Sequence, residues 1–194
     1  MKLCFATNNP NKLSEIQDLL GDEFELVGLR DVGCEEELAE DQNTLEGNSL
    51  QKAQYVFKKF GVSCFADDTG LEVKALGGEP GVYSARYAGA QRSNEDNMAL
   101  VMEKLQNQSD RSAQFRTVIT LIIAGEQIQF EGIAKGKIIE EQRGTKGFGY
   151  DPIFMPSGYD QTFAEMTREE KNTISHRGLA VQKLIQYLKK TTNS

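Results

Sequence analysis

Residues Gln114 to Ile138, QFRTVITLIIAGEQIQFEGIAKGKI, hold two long runs rich in valine, isoleucine, threonine and phenylalanine, broken by Gly125-Glu126. This is the strongest hairpin signal in the chain. Strands joined by so tight a turn run antiparallel, so no purely parallel sheet can contain them. The rest of the fold must be built around that ribbon.

The remaining elements read from periodicity. KLCFAT (2–7) reads as a buried strand, and NKLSEIQDLL (11–20) follows with Leu13, Ile16 and Leu20 at helical spacing. ELVGL (25–29) reads as a second short strand, and the acidic, aperiodic stretch Asp31 to Gln42 as a loop. A helix is expected from about Thr44 to Phe60, with Ala53, Val56, Phe57 and Phe60 on one face. VSCFA (62–66) and LEVKAL (71–76) read as strands on either side of Asp67-Asp68, with Thr69-Gly70 as a turn. Ser93 with Asp96 resembles a capping box, opening a helix lined by Met98, Val101, Met102 and Leu105. A last helix begins near Ser175, turns Val181, Leu184, Ile185 and Leu188 inward, and ends on Lys189-Lys190, which suit its negative end. The sum is an α/β fold with a mixed sheet flanked by helices.

At 194 residues the chain suits one domain, 1–194, large enough for a full hydrophobic core. Its 22 basic and 29 acidic residues give a net charge of −7, which disfavours a nucleic-acid backbone or an anionic membrane as partner. No apolar run approaches the roughly 20 residues of a membrane span. The three cysteines are widely spaced without a C-x-x-C, so they read as free thiols of a cytoplasmic protein.

Four short segments carry polar chemistry. ATNNPNKL (6–13) lies where the first strand passes into the first helix, a usual place for phosphate binding by backbone N–H groups. It is no Walker A loop, and taken alone an asparagine-rich helix cap is the favoured account of it. GTKGFGYDPIF (144–154) combines glycines with Phe148 and Tyr150: either a stacking surface for a base or a flexible hairpin tip with a core aromatic. REEKNTISHRGLA (168–180) holds the single histidine, His176, beside Arg177 at a helix start, which suits an anionic or carbonyl-rich ligand. Lys171 lies on a charged run of the kind that normally forms a solvated face. ADDTG (66–70) contains the triplet found around aspartic protease carboxylates, but those folds are nearly all-β and this chain carries several helices. The other reading is a carboxylate site for Mg²⁺, within reach of Glu40.

Together these pieces resemble the inosine triphosphate pyrophosphatase family. The matching motifs are Thr7-x-Asn9-x-x-Lys12, ADDTGLEV, GGEPGVYSARYAG, GFGYDPIF and TREEKNTISHRG, in order from Lys2 to about Leu188. The resemblance implies an elongated mixed sheet with two lobes around a central cleft, a homodimer, and hydrolysis of ITP, dITP and XTP to the monophosphate and pyrophosphate with Mg²⁺. It implies that Thr7, Asn8, Asn9, Pro10, Asn11 and Lys12 cradle the phosphates. Asp68 would be proton acceptor and metal ligand, Glu40 a second ligand, and Thr69 a substrate contact. Phe148, Gly149, Tyr150, Asp151, Lys171, His176 and Arg177 would hold base and sugar-phosphate, with Arg177 donating to the 6-carbonyl that adenine lacks. Two positions depart from the family pattern: Asn8 replaces a frequent glycine and Gly47 a frequent acidic residue. A non-catalytic purine-nucleotide sensor would keep the loops and drop the carboxylates, yet Asp67, Asp68 and Glu40 are all present. A pyrophosphatase for pyrimidine or methylated nucleotides is the alternative enzyme.

Overall fold

The computed structural model describes residues 2–21 and 24–192. Its strands are β1 (Lys2–Phe5), β2 (Glu25–Val27), β3 (Cys64–Val73), β4 (Ser112–Ile123), β5 (Glu126–Ile138) and β6 (Phe154–Pro156). Its helices are α1 (Pro10–Leu20), α2 (Leu45–Phe60), α3 (Asn94–Lys104), α4 (Arg168–Ile174) and α5 (His176–Thr192). The strands form one mixed sheet in the order β2-β1-β3-β4-β5-β6, with β1 parallel to β2 and β3 and β5 antiparallel to β6.

Contacts group the chain into two compact units. The first takes the chain through Asp68, Thr117–Gly132 and the segment from Arg177; the second takes Thr69–Arg116 and Ile133–His176. In the first unit the twofold alternation of β1 and β3 divides the core cleanly. Leu3, Phe5 and Phe65 point to one face and bury Ile16 and Leu20 of α1 with Ala180, Val181, Leu184 and Leu188 of α5. Cys4, Ala6, Cys64 and Ala66 point to the other and meet Ala53 and Val56 of α2. Phe5 and Phe65, neighbours in the ladder, stack with centroids 4.6 Å apart, worth about 0.5–1.5 kcal/mol beyond their burial. In the second unit Leu71, Val73, Phe115, Phe154 and Phe163 pack against Met98, Val101 and Leu105.

Three features differ from the sequence reading. The Asp pair does not sit in a turn between two strands: β3 runs unbroken from Cys64 to Val73. Gly70, read as a turn residue, is instead a point of close approach, since a Cβ there would lie 2.6 Å from the Gly81 carbonyl oxygen. The hairpin turn falls one residue early, at Ala124-Gly125, whose φ values of 50° and 83° match the twist of a two-residue hairpin. The charged run before the last helix is a helix of its own, α4, closed by a capping box between Thr167 and Glu170. Ser93 caps α3 as expected, accepting from the Asp96 N–H.

Candidate active site

β1 is flanked by β2 and β3, and the chain leaves it through α1 on one face and reaches β3 through α2 on the other. The carboxyl end of β1 is therefore the topological switch point of the sheet, where open α/β folds place ligands. The expected phosphate loop lies there. Asn9 caps α1, its Oδ1 accepting from the Asn11 and Lys12 N–H groups at 2.9 and 3.4 Å, with Pro10 in the first turn. Thr7 Oγ1 accepts from the Asn9 N–H at 3.1 Å, and the Asn8 amide donates to the Glu36 carbonyl at 3.4 Å. The cap reading is realised: the asparagines shape the turn, and the turn sets Lys12 inward toward Asp67.

β1 ends at Phe5 while β3 continues, so Asp67 and Asp68 emerge just beyond the β1 ladder. Adjacent on a strand, they point to opposite faces, which removes most of the repulsion that their sequence suggests. Asp67 follows Phe65 to the α1/α5 face and is fully buried. Lys12 Nζ lies 3.1 and 3.0 Å from its two oxygens and Arg177 Nε 3.5 Å from one of them; Arg177 Nη1 also binds Glu15. Burial pushes the Asp67 carboxyl up, but Lys12, Arg177 and Lys52 outweigh it and hold the group well below the usual carboxylate range. Lys12 itself is lowered by burial and by Lys52 and Arg177, against the pull of Asp67.

Asp68 follows Ala66 to the α2 face and keeps 7 % of its surface exposed. Asn48 Nδ2 donates to its Oδ2 at 2.9 Å, and among the described residues Oδ1 has no protein partner. Burial, with Glu40 adding to it, raises this carboxyl above its ordinary value although Lys52 and Lys12 oppose the rise. Their surroundings thus displace the two carboxyls of one strand in opposite directions.

The loop carrying Glu40 has no secondary structure, yet α2 fixes its register. Lys52 Nζ pairs with Glu40 and donates to the Asp67 carbonyl at 2.7 Å. Gln51 Nε2 donates to Asp41 at 2.7 Å, and Asn48 Oδ1 accepts from the Gln42 N–H at 2.9 Å. Positions 48, 51 and 52 share one helix face, so three successive loop residues are clipped to one stripe. For Lys52 burial lowers and Glu40, Asp68 and Asp67 raise, the carboxylates winning; Lys52 in turn holds Glu40 below its usual value against burial.

The second unit gathers the other expected residues. Asp151 Oδ2 accepts from Lys171 Nζ at 2.8 Å and from the Phe148 N–H at 3.0 Å, and both charged side chains are buried. Lys171 Nζ stands 5.1 Å from the centroid of the half-buried Phe148 ring. The solvated-face expectation for Lys171 fails for this reason: α4 turns it inward to a carboxylate. Tyr150 is also turned inward, its hydroxyl donating to the Ser84 carbonyl at 2.6 Å. His176 stacks on Phe115 with centroids 4.4 Å apart. Thr69 is half-buried, next to Asp68.

Sequence reasoning passed over Glu15, Asn48 and Lys52. For two of them a signal existed. The apolar stripe of α2, followed back from Val56 and Ala53, meets Lys52, Ser49, Asn48 and Leu45, so its N-terminal half is buried but polar. Glu15 gives no such sign; its ion pair with Arg177 accompanies its burial.

A capped helix start at a switch point, beside two carboxylates on opposite faces of one strand, is where open α/β folds hold polar ligands. Within that class of fold the chain belongs to the Ham1 family, which matches residues 3–187. The dITP/XTP pyrophosphatase of Flavobacterium johnsoniae is 56% identical over 191 residues, covering 98% of this chain and 100% of that protein. Among solved structures, the Staphylococcus aureus Ham1 protein superposes with a TM-score of 0.90 at 36% identity, covering 98% of this chain and 100% of that one. The Mycobacterium abscessus dITP/XTP pyrophosphatase gives 0.78 at 43% identity, with coverage of 95% and 98%.

Proposed function

We propose that this chain is a nucleoside triphosphate pyrophosphatase acting on dITP, ITP and XTP. It releases the monophosphate and pyrophosphate and so keeps deaminated purines out of DNA and RNA. The observation that carries the reading is the placement of Asp67 and Asp68 on opposite faces of β3, Asp67 against Lys12 and Arg177 and Asp68 held by Asn48 through one oxygen.

Asp68, raised and with Oδ1 available, takes the proton from the water that attacks the α-phosphorus. Lys12 and the first turn of α1, with Thr7 to Asn11, hold the triphosphate's negative charge. Asp67 remains ionised and fixes Lys12 and Arg177 rather than reacting. Phe148 offers its ring to the base, with Gly149, Tyr150, Asp151, Lys171, His176 and Arg177 as further contacts of base and sugar-phosphate and Thr69 beside Asp68.

Among the described residues no three His, Cys, Asp or Glu side chains are arranged to hold a metal by themselves. Mg²⁺ carried on a triphosphate asks for less, one or two carboxylates besides the phosphates, and Asp68 and Glu40 fit that demand as oxygen donors. Bound there, the ion would neutralise phosphate charge and acidify water. The reading extends to one functional domain over 1–194, a homodimer on the strength of the family resemblance, and a cytoplasmic setting, which the free cysteines support. No helix among the described residues is long and apolar enough to cross a membrane, and the net charge of −7 speaks against nucleic acid as a partner.

Hydrolysis of dITP in ¹⁸O-labelled water tests the reaction. Label in dIMP and none in pyrophosphate is expected; label in a released phosphate, with dIDP as product, would replace this reading with a γ-phosphatase.

A further inference from the structure

Asn48 stands between the two parts of the hydrolytic constellation and belongs to none of the motifs that point to it. Its side chain, 1 % exposed, donates from Nδ2 to Asp68 Oδ2 at 2.9 Å and accepts at Oδ1 from the Gln42 N–H at 2.9 Å. The two bonds fix the amide's orientation, because a flip would set oxygen against carboxylate and NH₂ against N–H. Gln42 is two residues from Glu40 on a loop with no strand or helix of its own.

The first turn of α2 is shaped for this contact. Thr44 caps it, accepting from the Gly47 N–H at 3.0 Å, and the chain before Thr44 folds back over the turn. A Cβ at Gly47 would lie 2.8 Å from Gln42 Cβ, so a side chain there would require Gln42 or the turn to shift. The departure noted at Gly47, a missing carboxylate by family pattern, is in this chain the space that lets the loop close.

We propose that Asn48 is a positioning residue for hydrolysis: one amide holds the Asp68 carboxylate by Oδ2, leaving Oδ1 for the water, and pins the Glu40 loop to the same helix. The inference rests on the proposed pyrophosphatase function. Asn48 holds Asp68 and is itself buried away from solvent, so its loss belongs in turnover and not in binding. A role in stability alone would move the melting temperature and leave the ratio of kcat to KM effects flat.

The test uses the full chain and two variants. Asn48→Asp keeps the acceptor for Gln42 and turns the donor facing Asp68 into an acceptor; Asn48→Ala removes both bonds without adding charge. For each, kcat and KM are measured with dITP and Mg²⁺, binding of uncleavable α,β-imido-dITP by calorimetry, and folding by thermal melt. The expected result is a fall in kcat of about 10- to 100-fold, the scale of one lost charge-assisted hydrogen bond, steeper for Asn48→Asp. KM and the analogue's Kd should stay within about threefold, on the same mutant-kinetics logic. Unchanged kcat in either folded variant overturns the proposal, and so do kcat and analogue binding falling together. Should Asn48→Asp fail to fold, Asn48→Ala carries the test alone. A wild-type protein that binds the analogue but releases no pyrophosphate from dITP would overturn the functional reading itself, and this inference with it.

Discussion

Replacing Asp67 by asparagine keeps the shape of the side chain and removes a charge on which two cations converge. Lys12 lies 3.0 Å and Arg177 3.5 Å from the carboxylate, which is itself fully buried. Removing one member of a buried ion pair costs about 3–5 kcal/mol, because the desolvated partner stays behind. Arg177 keeps Glu15, so the lower end applies: about 3 kcal/mol. For a chain of this length that is a drop of about 6–12 °C in melting temperature. The pH dependence gives a second handle. Folding depresses the Asp67 pKa, so its contribution is complete above the unfolded value of 3.8 and fades as pH falls below it. Urea denaturation of wild type and Asp67→Asn at pH 7 and pH 3 measures both effects. The expected gap is about 3 kcal/mol at pH 7 and clearly smaller at pH 3. A gap that is the same at both pH values, or below about 1 kcal/mol at pH 7, would refute the claim that an ionised Asp67 holds this knot together.

Three further outcomes follow from the same geometry. Asp68→Asn should lower kcat by about 10²-fold or more while dIMP binding survives, read by pyrophosphate release and calorimetry; near-native turnover would move the proton acceptor elsewhere. Burial pushes the Cys4 thiol up to about 11 and Cys64 up to about 12, so both stay protonated in the fold where an unfolded thiol ionises near 9. Stability should therefore decline as pH climbs past about 9, and iodoacetamide at pH 8.5 should leave both unmodified in native protein, as mass spectrometry would show; labelling at the rate of a free thiol contradicts this. Gly70→Ala drives a methyl group to 2.6 Å from the Gly81 oxygen and should cost about 1–3 kcal/mol in urea melts, whereas an unchanged midpoint would mean that the approach relaxes freely.

Much of this was legible in the sequence for a physical reason: alternation and helical spacing are set by what each element buries. The β4–β5 hairpin, α2 from Leu45 and the cap at Ser93 all follow from those rules. Where the reading slipped, a tertiary partner overruled a local preference. Thr69-Gly70 has turn composition, but β3 is kept straight and paired, and Gly70 makes room for Gly81. Lys171 looks solvated in a run of charges until Asp151, twenty residues away, is seen to meet it. The same limit hid the machinery around Asp68. Glu15, Asn48 and Lys52 belong to no motif, and each matters through a partner distant in sequence. Glu40 was offered by its acidic loop and the family's pattern, with no sharp motif to fix its register, and its place became physical only with Lys52.

The most direct measurement is kcat/KM for dITP, ITP and XTP beside dGTP, GTP and ATP, on the full chain with Mg²⁺ and then with excess chelator. The account predicts that the three deaminated purines exceed the others by at least about 10²-fold, with pyrophosphate as co-product and activity lost on chelation. Equal rates across all six nucleotides, or full activity in chelator, would contradict it.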